Sequence, residues 1–343
     1  MQGVAGASAL SRRTFLTGAA ALGAAIGSAF ALGGCSGQSG SSSAASSGKT
    51  SAAGAGSVTV GTLATEDILP FWVAQQEGLF TDAGVDCQIT VFQSATELIA
   101  GVSSGSVDMA MTDPMVAASL YASGTDVLLS WITLGATADQ GRFGIMTPAD
   151  SGITSLNQLA GVPIGVGSNT ILEYVMDTLM DRAGVPADQV LVEELQKLPV
   201  RYQAMKSGQV KAAALPGSLL ALGEAQGCVT IADDTKGDNI SQSVMAVRRD
   251  YLEANGPVVD TLKGVWDAAV KLVNDDPEKY RETLVDNANL SDEVADTYPI
   301  STYPQVQVPT AAMVDPILNW MLGKGYLDAK LTYNPADGSF AKA

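Results

Sequence analysis

The chain contains no histidine, three cysteines among 343 residues, and few bases, with 19 Lys and Arg set against 36 Asp and Glu. Without an imidazole, every mechanism that uses one as base or metal ligand is excluded, including Ser-His-Asp and Cys-His nucleophiles and the usual zinc and iron sites. A formal charge of −17 leaves no clustered cationic surface for phosphates, so nucleic acid is not a partner. Only 16% of the residues are charged and 46% are hydrophobic, which places the body of the chain among globular proteins. The length suits about two domains at roughly 100–200 residues each.

The N-terminus reads as an address. Ser11-Arg12-Arg13-Thr14-Phe15-Leu16 has the form of a twin-arginine export motif, and a weakly apolar run from Phe15 to Gly34 follows it. A membrane-spanning helix is the other reading of that run, but its five glycines argue against one. The run ends in Leu32-Gly33-Gly34-Cys35, which looks like a lipoprotein signal-peptidase site with Cys35 as the lipidated residue. Residues 1–34 are therefore the expected signal peptide, and 35–57 a lipidated cysteine with a tether. Nine Ser, five Gly and five Ala stand among the 22 positions from 36 to 57, and such a coil spans about 25 Å. Loss of Arg12 and Arg13 would take the side-chain charge from −17 to −19. The expected location is the outer face of the cell membrane.

From residue 58 the chain repeats itself at an offset of about 100. Val58-Thr59-Val60-Gly61 matches Val162-Pro163-Ile164-Gly165, with the glycines 104 apart. Ala83-Gly84-Val85 matches Ala183-Gly184-Val185, and Ser104-Gly105-Ser106-Val107-Asp108 matches Ser207-Gly208-Gln209-Val210-Lys211. Gly124 and Gly227 each close a helix before a strand. The order of strands and helices is the same in both copies and implies two α/β lobes with largely parallel sheets. Ser94-x-x-Glu97 and Thr170-x-x-Glu173 read as capping boxes, and Asp113-Pro114 as an N-cap followed by a first-turn proline. Leu172, Val175, Met176, Leu179 and Met180 form an apolar stripe at helical spacing. Beyond residue 240 come one more strand, Ser243 to Val247, and helices over Pro257 to Asn274, 278–287 and 310–322, which have no counterpart in the repeat.

In open α/β sheets, ligands sit beyond the carboxyl ends of the strands, where helix N-termini favour anions. The candidate ligand contacts are therefore Thr65 and Asp67, Ser94, Thr112 and Asp113 in the first copy, and Ser168, Asn169, Thr170, Arg201, Pro216 and Ser218 in the second. Arg201, placed at a strand end facing the cleft, is either a paired surface charge or an anchor for a carboxylate or sulfonate. Arg142 is a hinge residue or a ligand contact. Phe71, Trp72, Trp131 and Tyr174 are either core or an aromatic wall, with Trp72 the candidate contact. Ser94, Asp113 and Thr170 could also be helix caps and nothing more. Gly165-Val166-Gly167-Ser168-Asn169-Thr170 has Thr170 where a dinucleotide fingerprint needs its third glycine, so no nucleotide cofactor is expected.

Pro70-Phe71-Trp72-Val73-Ala74-Gln75-Gln76-Glu77-Gly78-Leu79-Phe80 resembles a segment of bacterial ABC-transporter solute-binding proteins of the nitrate/sulfonate/taurine type, a branch that includes pyrimidine-precursor binders. Ser155-Leu156-Asn157-Gln158-Leu159-Ala160-Gly161, the stretch from Arg201 to Gly208, and Val247-Arg248-Arg249-Asp250-Tyr251-Leu252 extend the likeness over roughly 58–325. The resemblance implies a type II periplasmic-binding-protein fold. Each lobe would be a largely parallel sheet flanked by helices, with a ligand closed between lobe I (58–143 with 245–343) and lobe II (144–244). Two hinge crossings would fall near Gly141–Met146 and Ser243–Val247. Cys87 and Cys228 would then lie in different lobes as free thiols. Lys211 stands where the family has an aspartate, which adds a second basic candidate to lobe II.

The implied role is a monomeric, lipid-anchored receptor that captures a small organic anion for an ABC permease and its ATPase, with no cofactor, no metal and no catalysis. A pyrimidine-type heterocycle is the alternative ligand, and a ligand-presenting sensor the alternative role. Pyrimidine-synthesising enzymes of the same fold depend on histidine, which is absent here.

Overall fold

The computed structural model describes residues 56–288 and 290–343. The expected export signal, the lipidation site Cys35 and nearly all of the tether lie outside the described residues. The first copy of the repeat contains β1 (Gly56–Leu63), α1 (Leu69–Gln76), α2 (Leu79–Asp82), β2 (Val85–Phe92), α3 (Ala95–Ser103), β3 (Met109–Thr112), α4 (Pro114–Ala122) and β4 (Val127–Leu134). The second contains β5 (Phe143–Thr147), β6 (Pro163–Val166), α5 (Ile171–Arg182), β7 (Leu191–Glu194), α6 (Leu198–Lys206), β8 (Ala212–Pro216), α7 (Gly217–Ala225) and β9 (Val229–Asp233). The tail adds β10 (Ser243–Arg248), α8 (Arg249–Asp275), α9 (Arg281–Asn287), α10 (Ala311–Lys324), β11 (Leu331–Asn334) and β12 (Ser339–Lys342).

Two five-stranded sheets result, in the orders β2-β1-β3-β10-β4 and β7-β6-β8-β5-β9. Both have one antiparallel strand in the fourth position, β10 in the first sheet and β5 in the second. The repeat is visible in the register itself. Gly61 pairs with Ala110 and Gly165 with Ala213, on strands that correspond in the two copies. Each odd strand is the one delivered just after the chain changes sheets, so each lobe is completed by a strand arriving from the other.

The passages between sheets are residues 135–142 and 234–242. They lie a few residues earlier than the crossings expected at Gly141–Met146 and Ser243–Val247, because Phe143 and Ser243 already pair into their new sheets. The two passages are tied together: Asn239 Nδ2 donates to the Gly135 carbonyl (2.7 Å), and the Phe143 amide donates to Asp234 Oδ1 (2.8 Å). Arg142 stands here, bridging Asp233 (2.9 Å) and Glu224 (2.9 Å).

One local reading is overturned, the Thr170 cap, and the tail adds a hairpin beyond the expected elements. The helix expected from Pro257 to Asn274 forms: α8 is two helical segments broken at the non-helical Asn255 (φ −131°, ψ 31°), and Pro257 stands in the first turn of the second. Thr170 precedes α5 but does not cap it; its hydroxyl donates to the Gly167 carbonyl (2.7 Å), while Glu173 accepts the Asn169 amide (2.7 Å). The hairpin β11–β12 closes over the edge of the first sheet, where the Leu129 amide donates to the Gly338 carbonyl (2.8 Å). The Ser94 and Asp113 caps form as the sequence implies, Ser94 accepting from the Glu97 amide (3.2 Å) and Asp113 from Met115 and Val116 (2.9 Å each).

Among the aromatic residues, Phe71 stacks edge-on against Phe80 (5.2 Å), Trp131 (6.1 Å) and Trp266 (5.3 Å) in the buried core of the first lobe. Apolar residues of α8 seal that core. The C-terminal part reaches across to the second lobe: Tyr326 donates to Glu173 (2.8 Å), and Lys324 and Trp320 Nε1 both bond Asp177 (3.0 and 3.1 Å). Cys87 and Cys228 are free thiols, one at each sheet. No helix among the described residues is long and apolar enough to cross a membrane. Replacing Phe71 by Ala removes the hub of the aromatic cluster. It should cost about 3–5 kcal/mol in urea unfolding; a loss below 1 kcal/mol would show that the cluster is not structural.

Candidate functional site

Between the sheets, at the carboxyl ends of β1, β3, β6 and β8, lies a cavity of ≈ 70 Å³ with walls from both lobes. A single water needs ~10–15 Å³, so the space suits a small solute. Its walls are chiefly apolar: Leu63, Leu98 and Met111 from the first lobe, Phe143, Ile171, Leu172 and Leu198 from the second. Three ionisable groups interrupt them, Asp67 and Asp113 on one side and Arg201 on the other.

Asp67 sits in the single turn that follows β1. It is buried and accepts two hydroxyls, Thr65 Oγ1 at 2.5 Å and Ser243 Oγ at 2.7 Å. Burial raises its pKa, and those hydrogen bonds oppose the rise. Its neighbour Glu66 does not line the cavity; it accepts the Tyr298 hydroxyl on Oε1 (2.6 Å), while Oε2 has no partner. Burial, helped by the charge of Asp67, raises Glu66 to about 7.

Asp113 ends β3 and caps α4. Its second oxygen faces the Ile171 amide at the start of α5 (3.4 Å), so one carboxylate meets helix N-termini from both lobes. Burial raises it to about 6 against the pull of these amides.

Arg201 is the fourth residue of α6, seven residues past the end of β7 where the sequence placed it. It is only 1% exposed, so the reading of a paired surface charge fails. Its hydrogen bonds go to backbone carbonyls: Nε to Leu195 (2.8 Å), Nη1 to Ala214 (3.0 Å) and Nη2 to Gln196 (3.3 Å). A guanidinium has five N–H donors, so two remain without a protein acceptor. None of the ion pairs among the described residues includes it. Burial lowers its pKa to about 10, opposed by the field of Glu194, and it stays cationic at neutral pH. Gly167 lets it approach: a Cβ there would lie 2.8 Å from Nη2.

Of the residues singled out in the sequence, Thr65, Asp67, Thr112, Asp113, Thr170, Arg201 and Pro216 line this cavity. Ser218 lines an adjoining space of ≈ 230 Å³ that shares Thr65, Leu198 and Pro216. The others lie elsewhere. Trp72 is packed in the first lobe's core on α1. Ser94 is buried as a cap, one residue before the lining Ala95. Arg142 lies at the passage between sheets in its own ion pairs. Ser168 is turned to Glu194, and Asn169 donates to Ser119 (2.8 Å) across the lobes. Lys211 is exposed and does not reach the cavity. The sequence reading missed Ser243 and the apolar lining. Ser243 was legible as the first residue of a strand entering the sheet; Leu172 belongs to the helical stripe read in the sequence, and Ile171 beside it was not singled out.

The chain matches the family model described as NMT1/THI5 like over residues 65–280, and it belongs to that family. Comparison with curated proteins finds no match. Among solved structures, the alkanesulfonate-binding protein SsuA from Xanthomonas axonopodis pv. citri, bound to MOPS, is similar at 18% identity and a TM-score of 0.68, over 80% of this chain and 95% of that one. The periplasmic aliphatic sulphonate binding protein SsuA from Escherichia coli follows at 16% and 0.67, over 81% and 92%. The periplasmic nitrate-binding protein NrtA from Synechocystis PCC 6803 follows at 13% and 0.65, over 80% and 82%. These likenesses identify the architecture as the two-lobed periplasmic-binding-protein fold.

The buried acids make stability depend on pH in a definite direction. Glu66 (about 7), Asp113 (about 6) and Asp234 (about 6, raised by burial) all hold protons more tightly folded than unfolded. Their burial therefore penalises the fold above pH 7, and protonation relieves the penalty as pH falls toward 5. No histidine titrates in that window to mask the effect. Calorimetry should find Tm a few degrees higher at pH 5.5 than at pH 8; a flat or opposite trend contradicts the assignment.

Proposed function

We propose that this chain is an extracytoplasmic receptor that closes its two lobes around a small organic anion, of sulfonate or carboxylate type, and presents it to an ABC importer. The observation that carries this reading is Arg201: a fully buried cation in the cavity wall, without a carboxylate partner and with two N–H donors unused. An uncompensated buried charge is costly. An anionic group lying against those donors supplies the missing partner through charge-assisted hydrogen bonds. The relatives named for sulfonate and nitrate binding support the same class of role, binding without turnover.

The geometry also supports a closing mechanism. A cavity walled by both lobes is entered only when they separate, and a ligand touching both stabilises the closed form over the open one. Export by the twin-arginine motif and a lipid on Cys35 would hold the receptor at the membrane, raising its effective concentration at a permease and its ATPase.

A second reading has its own observation. Asp67 and Asp113 present acceptors in the same apolar space, which suits a flat heterocycle with amino or ring N–H groups, such as a pyrimidine. A thermal-shift screen separates the two. At one hundred times Kd a ligand stabilises by about 2.7 kcal/mol, enough to raise Tm by a few degrees. Short alkyl sulfonates and carboxylates should produce that shift, and Arg201→Gln should abolish it. A response to neutral pyrimidines alone would transfer the assignment to the heterocycle.

A further inference from the structure

The cavity contains a charge imbalance that an anion makes worse. Its ionisable lining is one cation, Arg201, and two carboxylates, Asp67 and Asp113, all nearly inaccessible to water. No other charged side chain lines it: Glu66 stands behind Asp67, bonded to Tyr298; Glu194 approaches Arg201 from the outer side, where it bonds Ser168; and Glu173 on α5 is held by Tyr326 and Lys324. With both aspartates ionised the space has a net charge of −1, and a monoanion brought to Arg201 makes it −2 in surroundings that screen poorly.

We propose that the receptor captures its anionic ligand together with one proton, which is held on the Asp67–Asp113 pair. This rests on the anion reading above. The proton comes from solvent, no covalent bond to the ligand changes, and the occupied cavity keeps the charge of the empty one. Both acids are placed to accept a proton without losing their structural bonds. The hydroxyls of Thr65 and Ser243 can each turn from donor to acceptor toward a protonated Asp67. Asp113 keeps one oxygen on the Met115 and Val116 amides when the other, on its long contact to Ile171, takes the hydrogen. Burial already favours the neutral form of each.

The consequence is an affinity that falls as pH rises, by up to tenfold per pH unit once the acids of the empty receptor are ionised. Butanesulfonate is a suitable probe because it stays ionised throughout, so a proton taken up can only go to the protein. In lightly buffered protein solution held at pH 7 by automatic titration, butanesulfonate should consume up to about one equivalent of acid per ligand bound. Its Kd from tryptophan fluorescence should rise between pH 6 and pH 8. Asp67→Asn and Asp113→Asn together should abolish the acid uptake and flatten the Kd profile, and each single variant shows which carboxyl takes the larger share. Binding with no acid consumed and a flat profile overturns the proposal while leaving the anion receptor intact. Acid uptake unchanged in both single variants and in the double one also overturns it. If neither butanesulfonate nor short carboxylates bind at any pH, the anion reading fails and the proton with it.

Discussion

The group on which the cleft depends is a guanidinium removed from water with no carboxylate to neutralise it. A buried ion normally has a counter-ion, and breaking such a pair leaves a penalty of about 3–5 kcal/mol. Arg201 is instead held by the carbonyls of Leu195, Gln196 and Ala214, which fix its plane but only partly offset its charge. Those carbonyls come from Leu195 just past β7, from Gln196 in the turn into α6 and from the middle of β8, so the geometry of the second sheet orients the cation. Gly167, one residue past β6, leaves room for Nη2, which a Cβ there would meet at 2.8 Å. Three adjacent strands, β7, β6 and β8, thus bear on one side chain.

The overall charge of the protein does not contradict a cationic seat. At physiological ionic strength, charges more than ~8 Å apart across solvent are largely screened. The acids distributed over the surface therefore weaken a distant approach but contribute little inside an enclosed apolar cavity. There the effective dielectric is low, and one arginine with two nearby carboxylates decides the balance. The formal charge of −17 governs long-range encounter; the three lining groups govern the field inside the cavity.

Much of the architecture was legible because it is written in local chemistry. Turn glycines and the strand-helix alternation revealed the repeat, and the paired registers of Gly61 with Ala110 and Gly165 with Ala213 are its structural form. Asp113-Pro114 and Ser94-x-x-Glu97 cap the helices they precede because a cap is made within four residues. What failed needed information from farther away. Thr170 matched the capping pattern, but its hydroxyl turns back to Gly167, while Glu173 is recruited by Asn169 from within the chain and by Tyr326 from the tail. Ser168 and Asn169 occupy a loop at the right strand end yet point to Glu194 and Ser119. Sequence periodicity places a loop at the mouth of a sheet; which of its side chains turns inward is settled by neighbours brought together only in the fold.

The exchange of strands between the lobes gives the cleft its mechanical character. β5 and β10 each follow a passage and insert at once beside the central strand of the other lobe's sheet. Ser243, the first residue of β10, holds Asp67 in the cavity, and Phe143, the first of β5, forms part of the wall. The residues that end the passages are therefore also residues of the site. A rotation that opens the lobes moves Ser243 and Phe143 with their own sheets and separates Asp113 from Ile171. Asp113, which meets both lobes, would regain water on such a rotation, while Arg201 keeps its three carbonyls within the second lobe. Closure on an empty cavity carries the penalty of burying these charges, and an anion against Arg201 relieves only the arginine's share of it. The selectivity of closure thus follows from the same unpaired arginine and doubled carboxylate that make the empty closed cavity electrostatically unfavourable.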